Sequence, residues 1–213
     1  METAYKDLIS GNPKAANVII FAHGAGAGME HRFMQYFAQN LTNDDWQVVR
    51  FEFPYMQQMR ETGKRRPPNP KSVLLEYWHQ KIVQYRRKGK LVLAGKSMGG
   101  RMATMIADDL STDGLLIFGY PFHPPGKPEK LRTEHLHALQ TPCLILQGER
   151  DNLGNREEVS AYSLSKNIEL EWLVDGDHGL KPRKKSGFSE MAHWQHAIHS
   201  SRDFLKTVLK GNL

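Results

Sequence analysis

The sequence predicts an α/β fold, a mainly parallel, twisted sheet with helices on both faces. Three observations predict it. Short runs rich in Val, Ile, Leu and Phe recur along the 213 residues without polar alternation, the pattern of strands buried on both faces. Helix-compatible segments separate those runs at the spacing of strand–helix–strand units. Glycine-rich or polar stretches follow the runs directly, where sheets of this kind collect their ligand chemistry.

Each element can be read in order. Asn17–Ala22 is a buried strand that opens into the loop His23-Gly24-Ala25-Gly26-Ala27-Gly28. A helix is expected over 30–40, with Phe33, Met34, Phe37 and Leu41 on one face. Residues 47–53 form a second strand, ended by Pro54, and a polar, proline-rich loop is expected over 55–70. A helix over about 71–87 leads to a strand at 91–94, a helix over about 99–110 and a strand at 114–120. After a loop and a short helix come a strand at 142–148, a helix near 156–164, a strand at 168–174 and a closing helix over about 189–210. No repeat, low-complexity tract or linker interrupts the series, so residues 1–213 are expected to form one domain.

Composition bounds the function classes. Hydrophobic residues at 39% with 24% charged indicate a globular chain rather than a disordered one. No apolar stretch approaches the roughly 20 residues needed to span a bilayer. The opening Met1-Glu2-Thr3-Ala4-Tyr5-Lys6-Asp7 lacks the basic-then-apolar layout of a secretion signal. The single cysteine, Cys143, excludes an internal disulfide framework and suits a reducing compartment, so a cytoplasmic protein is expected. Within Cys143-Leu144-Ile145-Leu146 it reads as a small core residue rather than a reactive thiol.

The chemistry-bearing stretch is Leu91-Val92-Leu93-Ala94-Gly95-Lys96-Ser97-Met98-Gly99-Gly100-Arg101. It places the pattern G-x-S-x-G between a strand and a helix, as that motif requires. A serine on so sharp a turn sits in strained backbone, and Gly95 and Gly99 let neighbouring backbone pass closely. The turn also aims the first helical N–H groups, that of Met98 among them, at the place where an oxyanion would form. Gly95-Lys96-Ser97 resembles the tail of a phosphate-binding loop, but that motif needs glycine where Lys90 stands. A glycine-rich turn carrying an idle serine is the other alternative, so partners elsewhere must decide. They are present. Asp151 stands in Gly148-Glu149-Arg150-Asp151-Asn152 and His178 in Asp175-Gly176-Asp177-His178-Gly179, each beyond a strand end. His178 would deprotonate Ser97, and Asp151 would hold the imidazole in the right tautomer. Asp175 and Asp177 compete with Asp151 but lie too close in sequence to His178 to orient it easily. A second oxyanion donor is expected after the first strand, from the N–H of Ala25 or of Gly26.

On these residues the chain resembles the α/β-hydrolases of the dienelactone-hydrolase-like group. More narrowly, it is similar to small hydrolases grouped with a mammalian testis-expressed protein and a histone acetyltransferase complex subunit. Further motifs that carry this are Phe21-Ala22-His23-Gly24-Ala25-Gly26, Gly119-Tyr120-Pro121-Phe122-His123-Pro124-Pro125-Gly126-Lys127-Pro128, Leu131-Arg132-Thr133-Glu134-His135-Leu136 and Gln147-Gly148-Glu149-Arg150-Asp151. The resemblance covers residues 17–180 and implies a compact α/β-hydrolase fold with Ser97, Asp151 and His178 as its catalytic triad. Dienelactone hydrolases proper use cysteine as nucleophile where this chain has Ser97, so their substrate does not carry over. Residues 1–16 leave little room for the first two strands of the full fold, and a trimmed sheet is expected.

No long insertion follows the strand ending at Tyr120, so no large cap domain is expected and the site should lie open beneath three loops. Those loops, at 55–71, 122–135 and 180–187, are rich in Lys and Arg, and the chain carries a net charge of +6. An anionic ester or thioester is therefore an expected substrate, although solvated lysines serving solubility account for the charge equally well. Candidate substrate contacts are His23, Tyr55, Arg65, His123 and Lys184. No nucleic-acid motif accompanies the basic residues, and none is expected to bind. His193, His196 and His199 lack companion acidic or cysteine ligands and read as a helix surface rather than a metal site. Neither metal nor cofactor is expected, and the oligomeric state does not follow from the residues. The reading is a small-molecule ester or thioester hydrolase. A small peptidase and a non-catalytic binding or scaffold protein on the same fold are the alternatives.

Overall fold

The structure is a computed structural model that describes residues 6–211. Residues 1–5, on which part of the secretion-signal reading rests, lie outside the described residues. The elements in chain order are β1 (Leu8–Ser10), β2 (Asn17–Ala22), α1 (Arg32–Leu41), β3 (Trp46–Phe51), α2 (Pro54–Thr62), α3 (Lys71–Tyr85), β4 (Leu91–Lys96) and α4 (Met98–Thr104). Then come β5 (Gly114–Phe118), a 3-10 turn at Glu134–His137, β6 (Cys143–Gly148), α5 (Arg156–Ser160), β7 (Ile168–Leu173), a 3-10 turn at Lys184–Ser186 and α6 (Glu190–Lys210). No helix among the described residues is long and apolar enough to cross a membrane.

All seven strands join one sheet in the order β1-β3-β2-β4-β5-β6-β7. Six run parallel; β1 alone is antiparallel, pairing Leu8 with Arg50 at the edge. The apolar strand residues divide between two cores with period two. Val18, Ile20, Leu91 and Leu93 face α3 and α4, whereas Ile19, Phe21, Val92 and Ala94 face α1 and α6. Runs apolar on both faces therefore mark the covered interior of the sheet. The edge strand β7 alternates Glu169 and Glu171 with apolar residues and is only partly buried.

The structure departs from the sequence reading in five places. The expected loop over 55–70 begins as helix α2, because Pro54 at its first position gives up an N–H that has no helical partner anyway. Gly63 ends that helix in the left-handed region (φ 67°). Strand β1 is too short to show a period and escaped notice. Helix α4 stops at Thr104, with turns following to Ser111, and α5 spans only Arg156–Ser160. His193 does not lie on a helix surface; it is buried, with Nδ1 2.9 Å from the Leu180 carbonyl.

Phe37 has no exposed surface and packs against Phe33 and Phe118, with ring centroids 4.4 and 4.5 Å away. Phe37→Ala is expected to cost about 3–5 kcal/mol, read as a lower urea midpoint at an unchanged slope.

Candidate active site

Strand β4 delivers Ser97 into a turn that no relaxed L-residue would choose, with φ 51° and ψ −117°. Its N–H donates to the Phe118 carbonyl at 3.0 Å, which ties the turn to β5. The glycines before and after it are needed for close approach. A Cβ at Gly95 would lie 2.2 Å from the Gly100 nitrogen, and one at Gly99 2.5 Å from the His23 carbonyl oxygen. Only bare backbone lets α4 start directly on top of β4 and β2.

Two other strand ends converge on this turn. At β6, a Cβ on Gly148 would strike the Asp177 carbonyl oxygen at 2.3 Å, so glycine lets the β6 and β7 loops meet. The meeting brings three side chains into one hydrogen-bonded chain. His178 Nε2 lies 2.8 Å from Ser97 Oγ, and His178 Nδ1 lies 2.7 Å from Asp151 Oδ2. A carboxylate only accepts, so Nδ1–H donates to it and Nε2 is left to accept from the serine hydroxyl. Asp151 is fully buried; its Oδ1 accepts from Leu153 N–H at 2.8 Å and its Oδ2 from Gln147 Nε2 at 2.9 Å. Gln147, in turn, accepts from Tyr120 N–H through Oε1 at 2.7 Å. The rival acids are occupied. Asp175 is held down at about 2 by the hydrogen bonds of Arg183, and Asp177 accepts from the N–H groups of Gly179 and Lys181.

The loop after β2 completes the arrangement. His23 is buried, accepting from Phe53 N–H at Nε2 (3.1 Å), so its Nδ1–H donates to the Gly24 carbonyl at 2.7 Å. The Tyr55 hydroxyl, also buried, lies 3.1 and 3.2 Å from the Gly24 and Ala25 carbonyl oxygens. Both side chains hold the carbonyl side of the loop from within. The N–H groups of Ala25, Gly26 and Met98 find no acceptor among the described residues.

Ser97 and His178 line a cavity of about 510 Å³, within the range of small-molecule sites. Gly24, Ala25 and Gly26 form one side and Phe33, Met34, Leu153 and Trp194 an apolar wall. A larger, shallower depression of about 840 Å³ along α5 includes neither Ser97 nor His178. The five expected substrate contacts do not line the Ser97 cavity. His23 and Tyr55 support its loop from behind, and buried His123 is 2.8 Å from the Pro124 carbonyl and 3.4 Å from Glu158. Arg65 and Lys184 lie exposed on segments that turn into solvent. Arg60 is spent on Glu52 and Glu30 at 2.6–2.7 Å. The cations that do line the cavity are Arg32, paired with Glu190 at 2.9 Å, and Lys96 of the motif itself. Lys96, Gln147 and the apolar wall escaped the sequence reading. A lysine and a glutamine closing otherwise apolar strands were the available signals.

Burial, together with the Lys96 charge, pushes the His178 pKa below the ordinary histidine value of 6.5, against the pull of Asp151. Burial likewise brings Lys96 down to about 8, leaving it largely protonated at neutral pH. His23 is also lowered by burial, and His135 falls to about 4. These three histidines titrate lower in the folded than in the unfolded chain, so the unfolded state binds more protons below pH 6.5. The contribution of these histidines to stability is expected to be full above that value and to be lost as pH drops towards about 4, seen as a declining urea midpoint. The His178 ring resonances should titrate with a midpoint below 6.5.

Residues 15–206 match a family model described as an alpha/beta hydrolase domain. Est1E from Butyrivibrio proteoclasticus, solved with ferulic acid bound, superposes with a TM-score of 0.71 at 13% identity, over 96% of this chain and 95% of Est1E. An alpha-beta serine hydrolase homologue from Coxiella burnetii gives 0.63 at 18%, covering 97% and 91%. XC6422 from Xanthomonas campestris, described as an a/b serine hydrolase without lid, gives 0.62 at 19%, covering 96% and 88%. No curated protein matches the chain. At such identities the structures share the fold, and the family match covers most of the sequence: the chain belongs to the alpha/beta hydrolase domain family.

Proposed function

We propose that the protein is a serine hydrolase that cleaves a carboxylic ester or thioester through an acyl-enzyme. The observation that carries this is the His178 imidazole bridging Ser97 and buried Asp151 at 2.8 and 2.7 Å on the wall of a ligand-sized cavity. Ser97 Oγ attacks the carbonyl carbon while its proton passes to His178 Nε2. The tetrahedral oxyanion is held by the N–H groups of Met98 and Ala25, with Gly26 beside them. Its collapse breaks the bond to the leaving oxygen or sulfur, which departs with the proton from His178. Water then attacks the acyl-serine, His178 accepts its proton, and collapse frees the acid and restores Ser97. Asp151 stabilises the imidazolium in both halves. None of these steps calls on a metal or cofactor. With its lone thiol buried at Cys143, we place the enzyme in the reducing cytoplasm.

A fluorophosphonate probe tests the reading on the folded protein. Labelling is expected at Ser97, and Ser97→Ala and His178→Ala should abolish it. Asp151→Asn, which reverses the hydrogen bond to the imidazole, should lower ester turnover by roughly 10⁴-fold. A folded wild type that neither labels nor turns over simple nitrophenyl esters would overturn the proposal.

A further inference from the structure

We propose that the Lys96 ammonium is the specificity determinant of this cavity, receiving a carboxylate carried by the ester substrate. The inference rests on the hydrolase reading above and names the substrate class for that site. Lys96 closes β4 immediately before Ser97 and is among the residues that line the same cavity, with Nζ reaching towards Phe33 on its apolar wall. An ammonium offers three N–H donors. Among the described residues only one acceptor meets it, the His178 carbonyl oxygen at 2.5 Å, and no carboxylate lies within ion-pairing distance. The Phe33 ring, 5.8 Å away, adds a weak cation–π contact.

A partly desolvated cation with unused donors is costly unless something pairs with it. The nearby acids do not. Asp151 is committed to His178, Gln147 and Leu153, and Asp177 to the Gly179 and Lys181 amides. Across the cavity Arg32 is already neutralised by Glu190. A substrate carboxylate reaching the cavity therefore finds one unclaimed positive charge, on the residue next to Ser97, in a cavity with an apolar wall. The same reasoning explains why the exposed lysines of the surrounding loops are poor candidates. In water they gain little from an anion.

The test compares matched esters on the wild type, Lys96→Met and Lys96→Arg. A nitrophenyl hemiester of glutaric acid is set against nitrophenyl valerate, and 4-acetoxybenzoate against phenyl acetate, which separates a carboxylate on the acyl side from one on the alcohol side. The wild type is expected to favour the charged member of at least one pair by about 10- to 100-fold in kcat/KM. Lys96→Met should bring that ratio close to one, and Lys96→Arg should retain much of it. Using a ratio within each variant cancels damage to the His178 loop or a partly folded sample. A wild type with no preference in either pair, or a Lys96→Met ratio equal to wild type, overturns the role of Lys96 while fluorophosphonate labelling leaves the hydrolase reading standing. If the wild type neither labels nor hydrolyses, calorimetry of glutarate binding to Ser97→Ala decides the cation alone. Binding that Lys96→Met removes supports it, and binding unaffected by Lys96→Met, or none, overturns it.

Discussion

Ser97 holds a positive φ that an L-residue adopts only when its surroundings impose it, and the other parts of the site are placed by that turn. The strain costs of order 1–3 kcal/mol. It is held by β4 pairing with β2 and β5, by the Ser97 N–H bond to Phe118, and by α4 seated against Gly95. Strand and helix meet at bare backbone, so the hydroxyl emerges at the carboxyl edge of the sheet and the first N–H groups of α4 remain unspent. The loops after β2, β6 and β7 end at the same edge because all these strands run parallel. Parallel topology thus turns positions some 80 residues apart into neighbours.

Buried polar groups keep those neighbours in register. Asp151 would be expensive to bury alone, but Gln147, the Leu153 amide and His178 use its lone pairs. On the other side, His23 and Tyr55 take up the Gly24 and Ala25 carbonyl oxygens, which leaves the amides of that loop unclaimed. These residues act on the chemistry through the groups they hold. His23 and Tyr55 look like substrate contacts in the sequence because they stand beside the right loop, yet they are packed beneath it.

Charge follows the same division between proximity and placement. The basic residues behind the net charge of +6 lie largely on solvated loops or are paired with acids, as Arg60 is with Glu52 and Arg183 with Asp175. The cation that meets the cavity without an acid partner is Lys96. The residue between the first glycine and the serine of the motif is formally variable, but here it places a lysine directly before Ser97.

Much of this was legible in the sequence because it depends on local physics. Apolar runs without alternation mark strands covered on both faces, the spaced phenylalanines of α1 mark one helical face, and Gly95-Lys96-Ser97-Met98-Gly99 marks a strand-to-helix turn whatever surrounds it. The order Ser97, Asp151, His178 followed from strand ends, each a local signal. The tertiary structure decided what depends on distant partners. Strand β1 exists because β3 offers an open edge, and α2 forms where proline-rich composition suggested a loop because Pro54 and Gly63 suit its two ends. Which side chains face the cavity was settled by packing between α1, α6 and the β7 loop, far apart in sequence. That is why Arg65 and Lys184 were expected there and Arg32, Trp194 and Lys96 were found.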